Sequence, residues 1–202
     1  MGTGGDTPDE QLVLLAKDGS LDAFNSLVDR YQGAVYTLSY RLLGLRESAE
    51  DASQEAFLSA YRALARFEGG TFRSWLLRIA ANECKDELRR RNRKDASISL
   101  DDGGDDGGES IDVADVSPGA ELLLERLEMS HQLERLLLDI PFEQRQAIIL
   151  VDVYDFQYDE VAAMTATSIG TIKSRIHRGR ERLRRLLTGP MELSRAELRS
   201  GR

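Results

Sequence analysis

Lys173, Ser174, His177 and Arg178 set two cations, a hydroxyl and an imidazole at successive helical steps near the end of a 202-residue chain. Such a mixture of donors and acceptors on one helix face can hydrogen-bond base edges in a DNA major groove. The stretch Lys173–Arg185 holds seven basic residues and one acidic. Within it Arg180, Arg182, Arg184 and Arg185 lie further along, where phosphates are the expected partners. An amphipathic basic helix that merely closes a bundle would carry similar charges, so the elements around it have to decide.

Those elements read as a helix-turn-helix. A short helix is expected over Tyr158–Met164, a turn over Thr165–Ser168, then a long helix to Leu187 that Gly189-Pro190 ends. Ile172, Ile176, Leu183 and Leu186 fall on one side of that helix and should pack, while Thr167 or Ser168 can cap it. Upstream, helical spacing resumes after Pro118 with Leu122, Met129, Leu133, Leu136, Leu137 and Ile140. Pro141 interrupts it and Phe142–Val153 forms another apolar helix.

A second basic segment lies in the first half: Arg73–Lys94 holds eight basic residues against three acidic. It is expected on a helix capped by Thr71, carrying Trp75, Leu76 and Ile79 before Arg89-Arg90-Arg91. Ahead of it, Phe24, Leu27, Val28, Tyr31, Val35 and Leu38 make an apolar helical stripe that Gly44 stops. Another helix should run from Ser48 to Phe67, with Glu50 and Asp51 in its first turn, until Glu68-Gly69-Gly70 breaks it.

Between the two halves, residues 95–119 hold eight acids and no base, including Asp101-Asp102-Gly103-Gly104-Asp105-Asp106-Gly107-Gly108. Such a stretch buries too little apolar surface to offset its ordering entropy and is expected to be a flexible linker. The fold class is therefore all-α: two small helical domains joined by a flexible acidic linker, the second a helix-turn-helix. The expected divisions are 1–94, linker 95–119, 120–188 and a short tail 189–202, too short to fold alone.

Composition limits the alternatives. The net charge of −8 argues against a nucleic-acid partner only as an average, because the charge is segregated into two basic segments flanking an acidic one. No run approaches the roughly 18 apolar residues of a membrane span, and Met1–Pro8 lacks a secretory pattern. The single cysteine, Cys84, suits a reducing cytoplasm, and His131, His177 and Cys84 are too dispersed for a zinc site. No cofactor or metal is expected.

Four stretches, in order, resemble the extracytoplasmic-function class of bacterial RNA polymerase sigma factors, within the sigma-70 family. They are Ala49-Glu50-Asp51-Ala52-Ser53-Gln54-Glu55-Ala56-Phe57, Phe72–Asn82 continued by Asp86-Glu87-Leu88-Arg89-Arg90, Ile140–Arg145, and Gly170–Arg180. Together they cover residues 22–187 apart from the linker. The resemblance implies domains corresponding to sigma regions 2 and 4, with core RNA polymerase and promoter DNA as partners. It also implies an anti-sigma factor, and a free chain that is monomeric and cytoplasmic.

It further implies roles for particular residues. Asp51, Gln54, Glu55 and Phe57 stand in the polymerase-binding segment, although Phe57 could equally be core. Asn82 stands where a flipped minus-ten base is captured, a task that suits an amide's paired donor and acceptor. Arg89, Arg90, Arg91, Arg93 and Lys94 would hold phosphates; Phe72 and Trp75 could stack on bases, with core the favoured reading of Trp75. Lys173, Ser174, His177 and Arg178 stand where minus-thirty-five bases are read, and Arg175 either meets phosphate or ties the helix to its domain.

The chain departs from the family pattern at Thr165-Ala166, where an apolar residue and a glycine are usual, and at Glu83-Cys84. Alanine at a positive-φ position would be strained by about 1 kcal/mol. The acidic linker either mimics nucleic acid in a polymerase channel or serves solubility. A stand-alone helix-turn-helix regulator would leave the Asp51 and Asn82 segments unexplained. An enzyme is disfavoured because no phosphate loop, metal cluster or nucleophile–histidine motif is present.

Overall fold

A computed structural model describes residues 7–98, 129 and 132–200, and its described residues contain helices and no strand. In order these are α1 (Asp9–Lys17), α2 (Leu21–Leu43), α3 (Arg46–Ala63) with a 3-10 turn at Leu64–Arg66, and α4 (Phe72–Ile98). They are followed by α5 (residues 132–138), α6 (Phe142–Ile148) running into a π turn at Ile149–Val153, α7 (Tyr158–Thr165) and α8 (Ile169–Ser200). The chain divides into two compact units, residues 1–99 and 100–202. The all-α architecture matches the expectation; the acidic run from Asp101 to Gly108 lies outside the described residues.

In the first unit, local chemistry sets the helix ends. Ala23 N–H donates to the Ser20 hydroxyl at 3.3 Å, and Gly44 ends α2 at φ 77°, a left-handed conformation that glycine adopts without steric cost. Ser74 N–H donates to the Thr71 hydroxyl at 3.3 Å, the expected cap of α4. α2 contributes Leu27, Val35, Leu38 and Leu42 to the core, all fully buried. Against them α3 presents a stripe of small residues, Ala49, Ala52, Ala56 and Ala60, also fully buried. Their missing bulk lets α3 approach closely, and Leu76, Leu77, Ala80 and Cys84 of α4 fill the remaining volume.

α1 was not anticipated. Its Leu12, Val13 and Ala16 are buried, and its ends are tied by polar contacts. Asp9 accepts from both Arg30 and the Tyr31 hydroxyl of α2, while Lys17 donates to the Phe67 carbonyl beyond α3. Burial together with the Asp9 contact pushes the Tyr31 phenol up to about 12.

In the second unit the core is Ile140, Phe142, Ile148, Ile149, Leu150, Val161, Ile172 and Ile176. Leu137 is buried as expected, but Met129 and Leu133 are exposed. Arg145, itself buried, donates to the carbonyls of Leu137 at 3.3 Å and Leu138 at 2.9 Å. It thereby satisfies orphan acceptors at the end of α5.

The helix expected over Ser48–Phe67 is α3 over Arg46–Ala63 with its 3-10 turn, and two helices run well past their expected ends. α4 continues past position 94 to Ile98. α8 continues through Gly189-Pro190 to Ser200 instead of ending there. A helical proline forfeits the bond from its own nitrogen and its ring crowds the carbonyl four residues back, so the helix runs on across Pro190 with that rung missing.

Candidate nucleic-acid interface

The turn between α7 and α8 sets the aim of the long helix. Ala166 adopts φ 52°, ψ 46°, so the strained conformation suspected from its sequence position is present and alanine occupies it. The Thr167 N–H reaches back to the Ala162 carbonyl at 3.0 Å, which closes the turn. Thr165 is buried and donates to the Val161 carbonyl at 2.8 Å. Ser168 then caps α8, accepting from the Thr171 N–H at 3.1 Å.

From there the two faces of α8 separate. Ile172 and Ile176 are buried against α6 and α7. Lys173, His177 and Arg178 are exposed, with Ser174 and Arg175 half-buried beside them. Leu183 and Leu186, expected to pack, are only half-buried. Further along, Arg180 does not stand free for phosphate: its Nε donates to Asp152 Oδ2 at 3.0 Å and Nη2 donates to Oδ1. The Asp152 bond holds the Arg180 guanidinium above its ordinary pKa. Arg184 pairs with Glu181 at 2.9 Å on its own helix.

A second basic face lies on α4. Trp75, Arg78, Asn82, Arg89 and Arg93 recur at steps of three, four and seven, so they share one stripe. From 75 to 93 the stripe runs about 27 Å at the helical rise. Asn82, Arg89, Arg90 and Arg93 are all exposed. Arg89 pairs with Asp86 at 3.1 Å and Arg90 with Glu87 at 3.3 Å. The Arg89–Asp86 pair is exposed on both sides, and such pairs contribute about 0–1 kcal/mol, so a phosphate can replace the Asp86 carboxylate at small cost.

The aromatic residues divide. Phe72 is buried among Tyr31, Phe67 and Trp75 and belongs to the core. Trp75 is half-buried, its ring 5.2 Å from Phe67 and 5.6 Å from Phe72. Its packing supports the core reading while leaving one edge at the head of the stripe. The unusual Glu83-Cys84 pair is also accounted for. Glu83 accepts from the Ser59 hydroxyl at 2.7 Å, tying α4 to α3, and Cys84 is core.

On α3, Asp51 and Gln54 are exposed and Glu55 and Phe57 half-buried. Sequence reasoning passed over Leu58, which is 47% exposed and stands one turn beyond Gln54 and Glu55. The exposed apolar residue on that acidic face is thus Leu58, with Phe57 on its flank. A leucine left outside the helix's buried alanine register was the available signal.

Among the described residues no group of three or more metal-ligating side chains occurs, and no helix is long and apolar enough to cross a membrane.

Comparison with known proteins identifies the two stretches of chain that form these units. Residues 27–94 match the Sigma-70 region 2 family and residues 130–183 match Sigma-70, region 4. The chain is 37% identical to the ECF RNA polymerase sigma factor SigW of Bacillus subtilis, over 85% of this chain and 92% of that one. It is 34% identical to ECF RNA polymerase sigma factor SigE of Mycolicibacterium smegmatis over 82% of its length, although it spans only 62% of that relative. Among solved structures it resembles the sigma factor RpoE of Bartonella quintana, crystallised with the anti-sigma factor NepR. That likeness has a TM-score of 0.64 and 25% identity, covering 83% of this chain and 98% of that one.

Two helical units bearing regions 2 and 4 define a promoter-recognition subunit. The chain belongs to the sigma-70 family, in its extracytoplasmic-function class, and supports promoter-specific initiation of transcription with RNA polymerase.

Proposed function

We propose that α8 reads the minus-thirty-five duplex through Lys173, Ser174, His177 and Arg178, with Arg175 bracing it. The α4 stripe captures the melted minus-ten strand. Asn82 takes the edge of a flipped base, and Arg89, Arg90 and Arg93 hold the backbone. The chain docks on polymerase through Asp51, Gln54 and Glu55, with Leu58 and Phe57 supplying apolar contact. Its functional divisions are 1–94 and 120–188, joined by a segment over 95–119. It performs no chemistry of its own, acts in the cytoplasm as a monomer when free, and is held in check by an anti-sigma factor.

The observation that carries this reading is the division of α8. Ile172 and Ile176 are buried, whereas Lys173, His177 and Arg178 are presented outward on a capped helix. Base capture by Asn82 supplies part of the few kcal/mol that unstacking a base costs.

Run-off transcription with purified core polymerase and genomic promoter fragments tests it. Initiation from a discrete set of promoters that depends on this protein, and is lost with Asp51→Arg plus Gln54→Ala, is expected. Unchanged initiation by that double variant would remove the docking assignment.

A further inference from the structure

Among the helical glycines, Gly33, Gly170 and Gly179 can be compared, and the contrast isolates one of them. Glycine weakens a helix relative to alanine, so a helical glycine is a place to look for a compensating role. At Gly179 the reason is internal: a Cβ would come 2.5 Å from Ile148 Cδ1. At Gly170 no internal reason exists. Its φ is not left-handed, and a Cβ there would meet only Ser168 Oγ, at an ordinary 3.7 Å. Gly33, in the middle of α2, is equally open, with nothing within 4 Å of a Cβ.

Gly170 and Gly33 differ in what surrounds them. Gly170 is exposed one turn before Lys173 and Ser174 and two turns before His177, on the same face. Gly33 is flanked on its face by Asp29, Arg30, Tyr36 and Thr37, a mixture with no net positive charge.

We propose that Gly170 is a DNA contact, its bare backbone letting the promoter duplex press against the first turn of α8. A methyl group at this point would hold the helix away from the groove. Lys173 and Ser174, one turn further on, would then be lifted from the base edges, where hydrogen bonds weaken within a few tenths of an ångström. The missing side chain thus sets the depth at which the other residues read, and the proposal rests on the assignment of α8 as the minus-thirty-five reader.

The test uses holoenzyme assembled from core polymerase and the full chain. Binding is measured on a duplex promoter that depends on its minus-thirty-five element, and on a forked minus-ten template lacking that duplex. Gly170→Ala is expected to weaken binding to the full promoter at least fivefold and leave the forked template unchanged, with no fall in melting temperature. Gly33→Ala should raise the melting temperature and bind both templates normally. Wild-type binding by Gly170→Ala, with Lys173→Ala weakened, overturns the contact alone. Wild-type binding by both variants overturns the assignment of α8 and the contact with it. A lower melting temperature for Gly170→Ala would show that the glycine serves the fold and also overturns the proposal.

Discussion

Gly179 of α8 lies so close to Ile148 of α6 that a Cβ at 179 would stand 2.5 Å from Ile148 Cδ1 and 3.3 Å from Gln144 Cβ. This crossing seats α8 against α6 and so fixes the register of the outward face. Gly179→Ala should be close to neutral, because the gain of about 1 kcal/mol in helix propensity is opposed by displacing Ile148. Gly179→Leu should cost at least about 2 kcal/mol through overpacking. In a double-mutant cycle, Gly179→Ala should couple favourably with Ile148→Val, which removes the offending methyl, by about 1 kcal/mol. Additive denaturation energies would show that the crossing is looser than its geometry.

Ala166→Gly should stabilise the helix-turn-helix. Alanine at φ 52° carries the left-handed penalty that glycine lacks. The expected gain is about 1 kcal/mol, reduced by glycine's greater freedom in the unfolded chain. Thermal melting of the two proteins checks it, and an unchanged or lower midpoint would contradict it.

Asp152→Ala should change salt dependence more than stability. The Asp152–Arg180 pair is exposed, so its loss should cost no more than about 1 kcal/mol. The freed guanidinium can then reach a phosphate, steepening the dependence of promoter binding on salt by about one charge. A salt titration of holoenzyme binding reads this directly; an unchanged slope would place Arg180 outside phosphate range.

Cys84 should be inert in the folded protein. It is fully buried, and burial pushes its thiol from an ordinary 9.0 up to about 12. A thiol-specific reagent at pH 8 should therefore react only as fast as the first unit opens, and fully in denaturant. Because the folded pKa is raised, the associated stability is intact below pH 9 and is lost as pH climbs towards 12. Rapid native labelling at pH 8 would contradict the burial.

Much of the architecture was legible along the chain because its signals are local. Helical periodicity, the caps at Thr71 and Ser168 and the stop at Gly44 each involve residues within one turn of one another. The two basic stretches and the four motifs in series are likewise linear features, and they sufficed to indicate the family. α1 was missed because its nine residues make a weak periodic signal and its anchors, Arg30, Tyr31 and Phe67, are distant in sequence.

What the sequence by itself determined was the all-α class, the order of helices from α2 onward and which stretches carry positive charge, since these follow from neighbouring residues. Tertiary structure alone decided which charges remain available. Arg180 meets Asp152 across 28 residues, whereas Lys173, His177 and Arg178 stay exposed because Ile172 and Ile176 are drawn into the core. It also decided that Leu58 rather than Phe57 lies on the acidic face, and that a side chain at Gly179 would crowd α6 while one at Gly170 would not. Those distinctions depend on which side of each helix is covered by another, and that is set by packing between segments far apart in the chain.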